Sequence, residues 1–116
     1  MTIPKRRIRS AKLLLMLIYN VTAKVDWNIH EEWVKWMINE HFHQMTNTGC
    51  FIKATLLRIL EIDENDGPTY AAQYFAENRE NYDRYISGHA QLVRKKYIDK
   101  WGDLVVTFRT LMQVVD

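Results

Sequence analysis

Four histidines, His30, His41, His43 and His89, are the side chains of this sequence best suited to carry protons or bind metal near neutral pH. His41 and His43 stand two apart in a stretch with helical periodicity, so their rings project roughly 200° apart. Metal ligands on a helix are brought together by steps of three or four residues, so no dedicated metal cage is expected. His41 and His89 fall instead on the apolar arcs of two helices. There each is a proton carrier or haem ligand aimed at a cavity, or a ring satisfied within a core.

A second group of candidates lies inside strand-like segments. Asn20, Thr22, Arg58, Gln73, Thr107 and Arg109 would cost free energy if buried without partners, so they line a pocket, bridge a subunit interface or face solvent. Arg109 together with Gln73 can hold a carboxylate or an enolate, as cofactor-free oxidation or isomerisation of a small organic acid requires. The catalytic candidates are therefore His41, His89 and Arg109, and the ligand-binding candidates are Asn20, Arg58, Gln73 and Tyr74. Cys50 follows a turn glycine with no evident base beside it, which argues against a nucleophile.

These residues need elements to position them. Residues 15–25 mix β-branched and aromatic types in alternation and predict a first strand. Asn28, with Glu31 three residues on, has the spacing of a helix-capping pair, and Glu31 and Glu32 favour the helix dipole. Trp33, Trp36, Met37, His41, Phe42 and Met45 form a broad apolar arc for this helix to lay on a sheet, and Gly49 stops it. Phe51 to Leu60 predicts a second strand, Asn65-Asp66-Gly67-Pro68 a tight turn, and Thr69 to Ala76 a third strand. Asn78 caps a second helix carrying Tyr82, Tyr85, His89, Leu92, Val93 and Tyr97, ended by Trp101-Gly102. Leu104 to Val115 is the last strand.

The order β-α-β-β-α-β predicts an α+β, ferredoxin-like domain: a four-stranded antiparallel sheet with the helices on one face. The other face is left uncovered and is not wholly polar, which calls for a second copy of the chain. Trp27, Trp33 and Trp36 are expected at the sheet edge and against that partner. The 116 residues, 47% of them hydrophobic, suffice for one domain.

The net charge of +2 conceals an asymmetry: Lys5, Arg6, Arg7, Arg9 and Lys12 precede a remainder with 11 basic and 14 acidic residues. Such a body is not the footprint of a dedicated nucleic-acid binder. Basic, then apolar, then Val21-Thr22-Ala23 mimics a secretory signal, but Tyr19-Asn20 interrupts the apolar run and cleavage would remove the first strand. Residues 1–15 therefore read as an extension before a domain at 16–116, with Met16 as the natural start. No stretch approaches the ~20 apolar residues of a membrane span. With a single cysteine, a cytoplasmic protein is expected.

The strings Leu17-Ile18-Tyr19-Asn20-Val21-Thr22, Glu31-Glu32-Trp33-Val34-Lys35-Trp36-Met37, Thr48-Gly49-Cys50-Phe51, Thr69-Tyr70-Ala71-Ala72-Gln73-Tyr74-Phe75 and Phe108-Arg109-Thr110-Leu111 occur in this order. They resemble a bacterial family described only as a domain of unknown function, itself similar to the dimeric α/β-barrel superfamily that includes antibiotic-biosynthesis monooxygenases. The resemblance runs from about Met16 to Val115. It implies a homodimer whose two sheets face each other, with a cavity between each sheet and its helices. Relatives in that superfamily include monooxygenases, haem-degrading enzymes and lactone isomerases, but no activity is implied for this branch. Haem relatives keep a histidine on the second helix, for which His89 is the candidate here. No cofactor is otherwise expected.

Three functions compete on the sequence. The first is a homodimeric barrel that binds or transforms a small organic molecule without a dedicated cofactor. The second is a structural or regulatory dimer. The third is an RNA-recognition-type module reading bases from Tyr19, Tyr70 and Tyr74, against which the third strand, Thr69 to Ala76, lacks the basic-Gly-aromatic-Gly opening of that motif.

Overall fold

A computed structural model describes residues 15–116; the proposed extension falls, apart from Leu15, outside the described residues. Four strands, β1 (Leu17–Val25), β2 (Lys53–Arg58), β3 (Thr69–Ala76) and β4 (Val105–Gln113), form one antiparallel sheet in the order β2-β3-β1-β4. The central strands pair Tyr19 with Tyr74 and Asn20 with Gln73, and β1 pairs Val21 with Arg109 on its other side. Helices cover one face, and the fold is the ferredoxin-like α+β arrangement expected.

The first helix starts differently from the sequence expectation. Asp26, not Asn28, supplies the cap, its side chain accepting from the Asn28 N–H at 2.8 Å. A 3-10 turn at Trp27–Ile29 then leads into α1 (His30–Trp36), with Glu31 and Glu32 in its first turn as anticipated. A π turn at Met37–His41, closed by the Phe42 N–H on the Met37 carbonyl, separates α1 from α2 (Phe42–Asn47). The wider turn keeps Met37, His41 and Met45 on the buried side, where a regular helix would drift between residues four apart.

The second strand is shorter than its apolar run. Gly49 turns the chain at φ 76°, and Phe51 enters the core before the ladder begins, only 3% exposed. The expected tight hairpin is a longer loop. Gly67, at φ 153°, lies so close to β1 that a Cβ there would sit 1.8 Å from the Val25 carbonyl oxygen, and the Val25 N–H donates to the Pro68 carbonyl at 2.9 Å.

Asn78 caps the second helical segment as anticipated, accepting from the Asn81 N–H at 2.9 Å. That segment is not one helix. His89, at φ −130°, separates α3 (Arg79–Gly88) from α4 (Ala90–Trp101) and resets the helical phase. Leu92, expected on the apolar arc, is consequently 59% exposed, while Ala90, Val93 and Trp101 are buried.

Strand alternation divides the sheet. Tyr19, Ala23, Tyr70, Ala72, Tyr74 and Val105 face the helices and belong to the core. Ile18, Asn20, Thr22, Gln73, Phe75 and Phe108 face the open side. Trp33 is fully buried and Trp36 packs partly against the core, whereas Trp27 is exposed.

Candidate functional site

A chamber of about 180 Å³ lies between the sheet and the helices. Its floor is β1 and β3, where Ala23 and Ala72 leave the space that larger neighbours such as Tyr19 and Tyr74 surround. Met37, His41 and Met45 descend from the π turn and α2. Arg94, Tyr97 and Ile98 of α4 and Thr107 and Arg109 of β4 complete it.

His41 is the titratable centre of this space. Only 5% exposed, its ring stacks on Trp36 at 4.8 Å between centroids and meets the edges of Tyr97 at 5.6 Å and Tyr74 at 6.1 Å. Burial among rings disfavours the imidazolium and pushes its pKa down from 6.5 to about 4, against a smaller opposing hydrogen bond with Gln44. At neutral pH the ring is uncharged, and Nδ1 has no protein hydrogen-bond partner.

The phenols around it are held neutral. Burial pushes Tyr97 up to about 12, moderated by the Trp33 hydrogen bond and the Arg109 charge. Tyr74 and Tyr85 are likewise raised by burial. Trp33 Nε1 donates to the Tyr97 hydroxyl at 2.8 Å, fixing its orientation and leaving its own proton to donate. Arg94 Nη2 donates to the Tyr19 hydroxyl at 3.2 Å, while its buried Nε has no protein partner. Of the three buried, unpartnered side-chain atoms among the described residues, two thus belong to chamber residues; the third, Trp101 Nε1, does not.

Of the seven candidate residues, His41, Tyr74 and Arg109 meet at the chamber. The other four are elsewhere. Asn20 and Gln73 lie on the open face, Gln73 Nε2 donating to Asn20 Oδ1 at 3.3 Å and Asn20 Nδ2 to Thr22 Oγ1 at 3.1 Å. The pairing of Arg109 with Gln73 is therefore excluded, because strand alternation puts them on opposite faces. Arg58 ends β2 at the surface, its guanidinium 2.9 Å from Glu64. His89 sits at the helix break, beside an outer groove with Gly88, Leu92 and Lys95.

The remaining histidines have local roles: His30 Nε2 is 2.6 Å from the Tyr70 hydroxyl, and His43 is exposed. Buried Cys50 directs Sγ toward the Thr48 carbonyl at 3.8 Å. Arg94, Tyr19 and Tyr97 were missed as site residues. Arg94 precedes Tyr97 by three and Ile98 by four, a spacing that joins them on one helix face once the break at His89 is known.

Residues 16–115 match the family described as Domain of unknown function (DUF4286). The chain belongs to this family. No curated protein is similar to this DUF4286 chain in sequence. Solved structures are similar in fold. A dimeric ferredoxin-like protein from an uncultured marine organism shares 10% identity at a TM-score of 0.57, over 87% of this chain and 96% of its own. A variant of SnoaB, a cofactor-independent oxygenase from Streptomyces nogalater, shares 14% at 0.59, over 88% and 95%. The hydroxynitrile lyase of Passiflora edulis shares 11% at 0.59, over 89% and 98%. At these identities the likeness is one of fold.

His89, the histidine to which the haem relatives' pattern points, lies outside the chamber. Among the described residues no three His, Cys, Asp or Glu side chains are grouped to hold a metal ion, and no helix is long and apolar enough to cross a membrane. The tyrosines of the RNA-module alternative, Tyr19, Tyr70 and Tyr74, are buried beneath the helices rather than displayed on the open face.

Proposed function

We propose that this DUF4286 protein is a homodimer that binds a small organic molecule in the chamber and uses His41 to exchange a proton with it, without a dedicated cofactor. The observation that carries this reading is His41 itself: a buried, neutral imidazole on a π turn, with Nδ1 unpartnered beside an aromatic chamber. Such a ring accepts a proton from an acidic O–H or C–H of a bound molecule. The N–H bond forms as the substrate bond breaks, and the substrate anion is stabilised by the Arg94 and Arg109 charges and the phenol donors. This supports isomerase-like proton transfer more directly than oxidation.

The dimer is favoured by the open face, where Phe108 is 62% and Val106 63% exposed beside the polar Asn20–Gln73 pair. The dimeric ferredoxin-like neighbour gives a precedent for the pairing. A buried, unpaired Cys50 suits the cytoplasm. A structural dimer shares the open-face argument but leaves a hollow beneath the helices without a role. Native mass spectrometry of the full chain purified from cells tests the proposal. A dimer with retained extra mass that disappears in His41→Trp, which fills the chamber, is expected; a bare monomer would overturn it.

A further inference from the structure

We propose that the ligand of the chamber is a monocyclic aromatic acid, its ring set among the tyrosines and its anionic group held by Arg94 and Arg109. The inference rests on the reading of the chamber as a small-molecule site and gives that site a substrate class.

Charge is the first argument. Two guanidinium groups line the chamber and no aspartate or glutamate does. Neither Arg94 nor Arg109 is among the described ion pairs. Arg94 also presents a specific vacancy for hydrogen bonding: its Nε donor is buried and unpartnered, and its Nη2 is shared only with the Tyr19 hydroxyl. The Nε–Nη2 edge of a guanidinium matches the two oxygens of a carboxylate.

Size and shape are the second. A dry apolar cavity of about 150 Å³ accommodates benzene. A chamber of about 180 Å³ therefore suits one six-membered ring with a small substituent better than a fused pair of rings. Tyr74, Tyr97 and Trp33 offer ring faces and edges to such a ligand. His41 Nδ1 then remains as the partner for a hydroxyl elsewhere on the ring.

The test is NMR titration of the isotopically labelled full chain with benzoate, 4-hydroxybenzoate, benzamide, 2-naphthoate and benzene. Benzoate and 4-hydroxybenzoate are expected to saturate shifts at Ala23, Ala72 and Arg94, with benzamide at least tenfold weaker and 2-naphthoate excluded. Arg94→Met should abolish the preference for benzoate over benzamide, and Arg94→Lys, which keeps the charge but loses the fork, should retain part of it. Equal binding of benzoate and benzamide, or tighter binding of 2-naphthoate, would overturn the aromatic-acid assignment while entry of benzene leaves the chamber reading intact. If benzene also fails to enter, the chamber reading falls with it.

Discussion

The two faces of the sheet are built from the same four strands and have opposite characters. On the covered face Tyr19, Tyr74 and their neighbours enclose a chamber with a neutral histidine, lined also by the half-buried Arg94 and the exposed Arg109. On the open face Asn20, Gln73 and Thr22 form a satisfied polar row flanked by exposed Phe108. Because side chains alternate along a strand, adjacent residues such as Tyr19 and Asn20 take part in unrelated tasks. The covered face gains its stability from burial and leaves His41 Nδ1 and Arg94 Nε unpartnered; the open face closes its own hydrogen bonds and leaves apolar surface exposed.

This contrast can be broken or sharpened by substitution. The largest effect is expected at Trp33, which is fully buried and orients Tyr97: Trp33→Ala should cost about 3–5 kcal/mol in urea unfolding. A loss below about 1 kcal/mol would mean that the covered face is not packed as described.

Next is the pH dependence of His41. Its folded pKa is lowered from 6.5 to about 4, so the unfolded chain binds the extra proton. Its contribution is therefore fully present above pH 6.5 and lost as the pH falls toward 4, by about 3 kcal/mol in total. His41→Leu should flatten the stability profile across that window by this amount. An unchanged slope would show that His41 is solvated.

On the open face the effects should be smaller. Gln73→Ala removes one hydrogen bond and should cost about 1 kcal/mol; a loss comparable to that of Trp33→Ala would erase the distinction between the faces. Phe108→Glu, at an exposed position, should change the stability of the isolated chain by about 0.5 kcal/mol or less. In analytical ultracentrifugation the same variant should shift the chain from dimer toward monomer, and an unaltered dimer would move the partner surface elsewhere.

Much of this contrast was legible in the sequence. The strand pattern of Thr69–Ala76 marked β3, and helical spacing put His41 inward. What escaped were events with no local signature in composition. The π turn at Met37–His41 and the break at His89 change the phase of a helix, which brings Arg94 to the chamber and leaves the half-buried His89 outside it. The faces of the strands also needed the register: which alternate set meets the helices is decided by packing across β1, β3 and β4, so Gln73 was grouped with Arg109 although they lie on opposite sides. Asp26 took the cap from Asn28 because a 3-10 turn precedes the helix.

The central claim is that His41 is an enclosed, uncharged imidazole facing a small-molecule chamber. Its most direct test follows the His41 ring nitrogens by NMR as the pH of the full chain is lowered. The ring is expected to stay neutral through pH 6 and to protonate only near about 4, with Nδ1 perturbed when 4-hydroxybenzoate is added. Protonation at about 6.5, with no response of Nδ1 to 4-hydroxybenzoate, would contradict it.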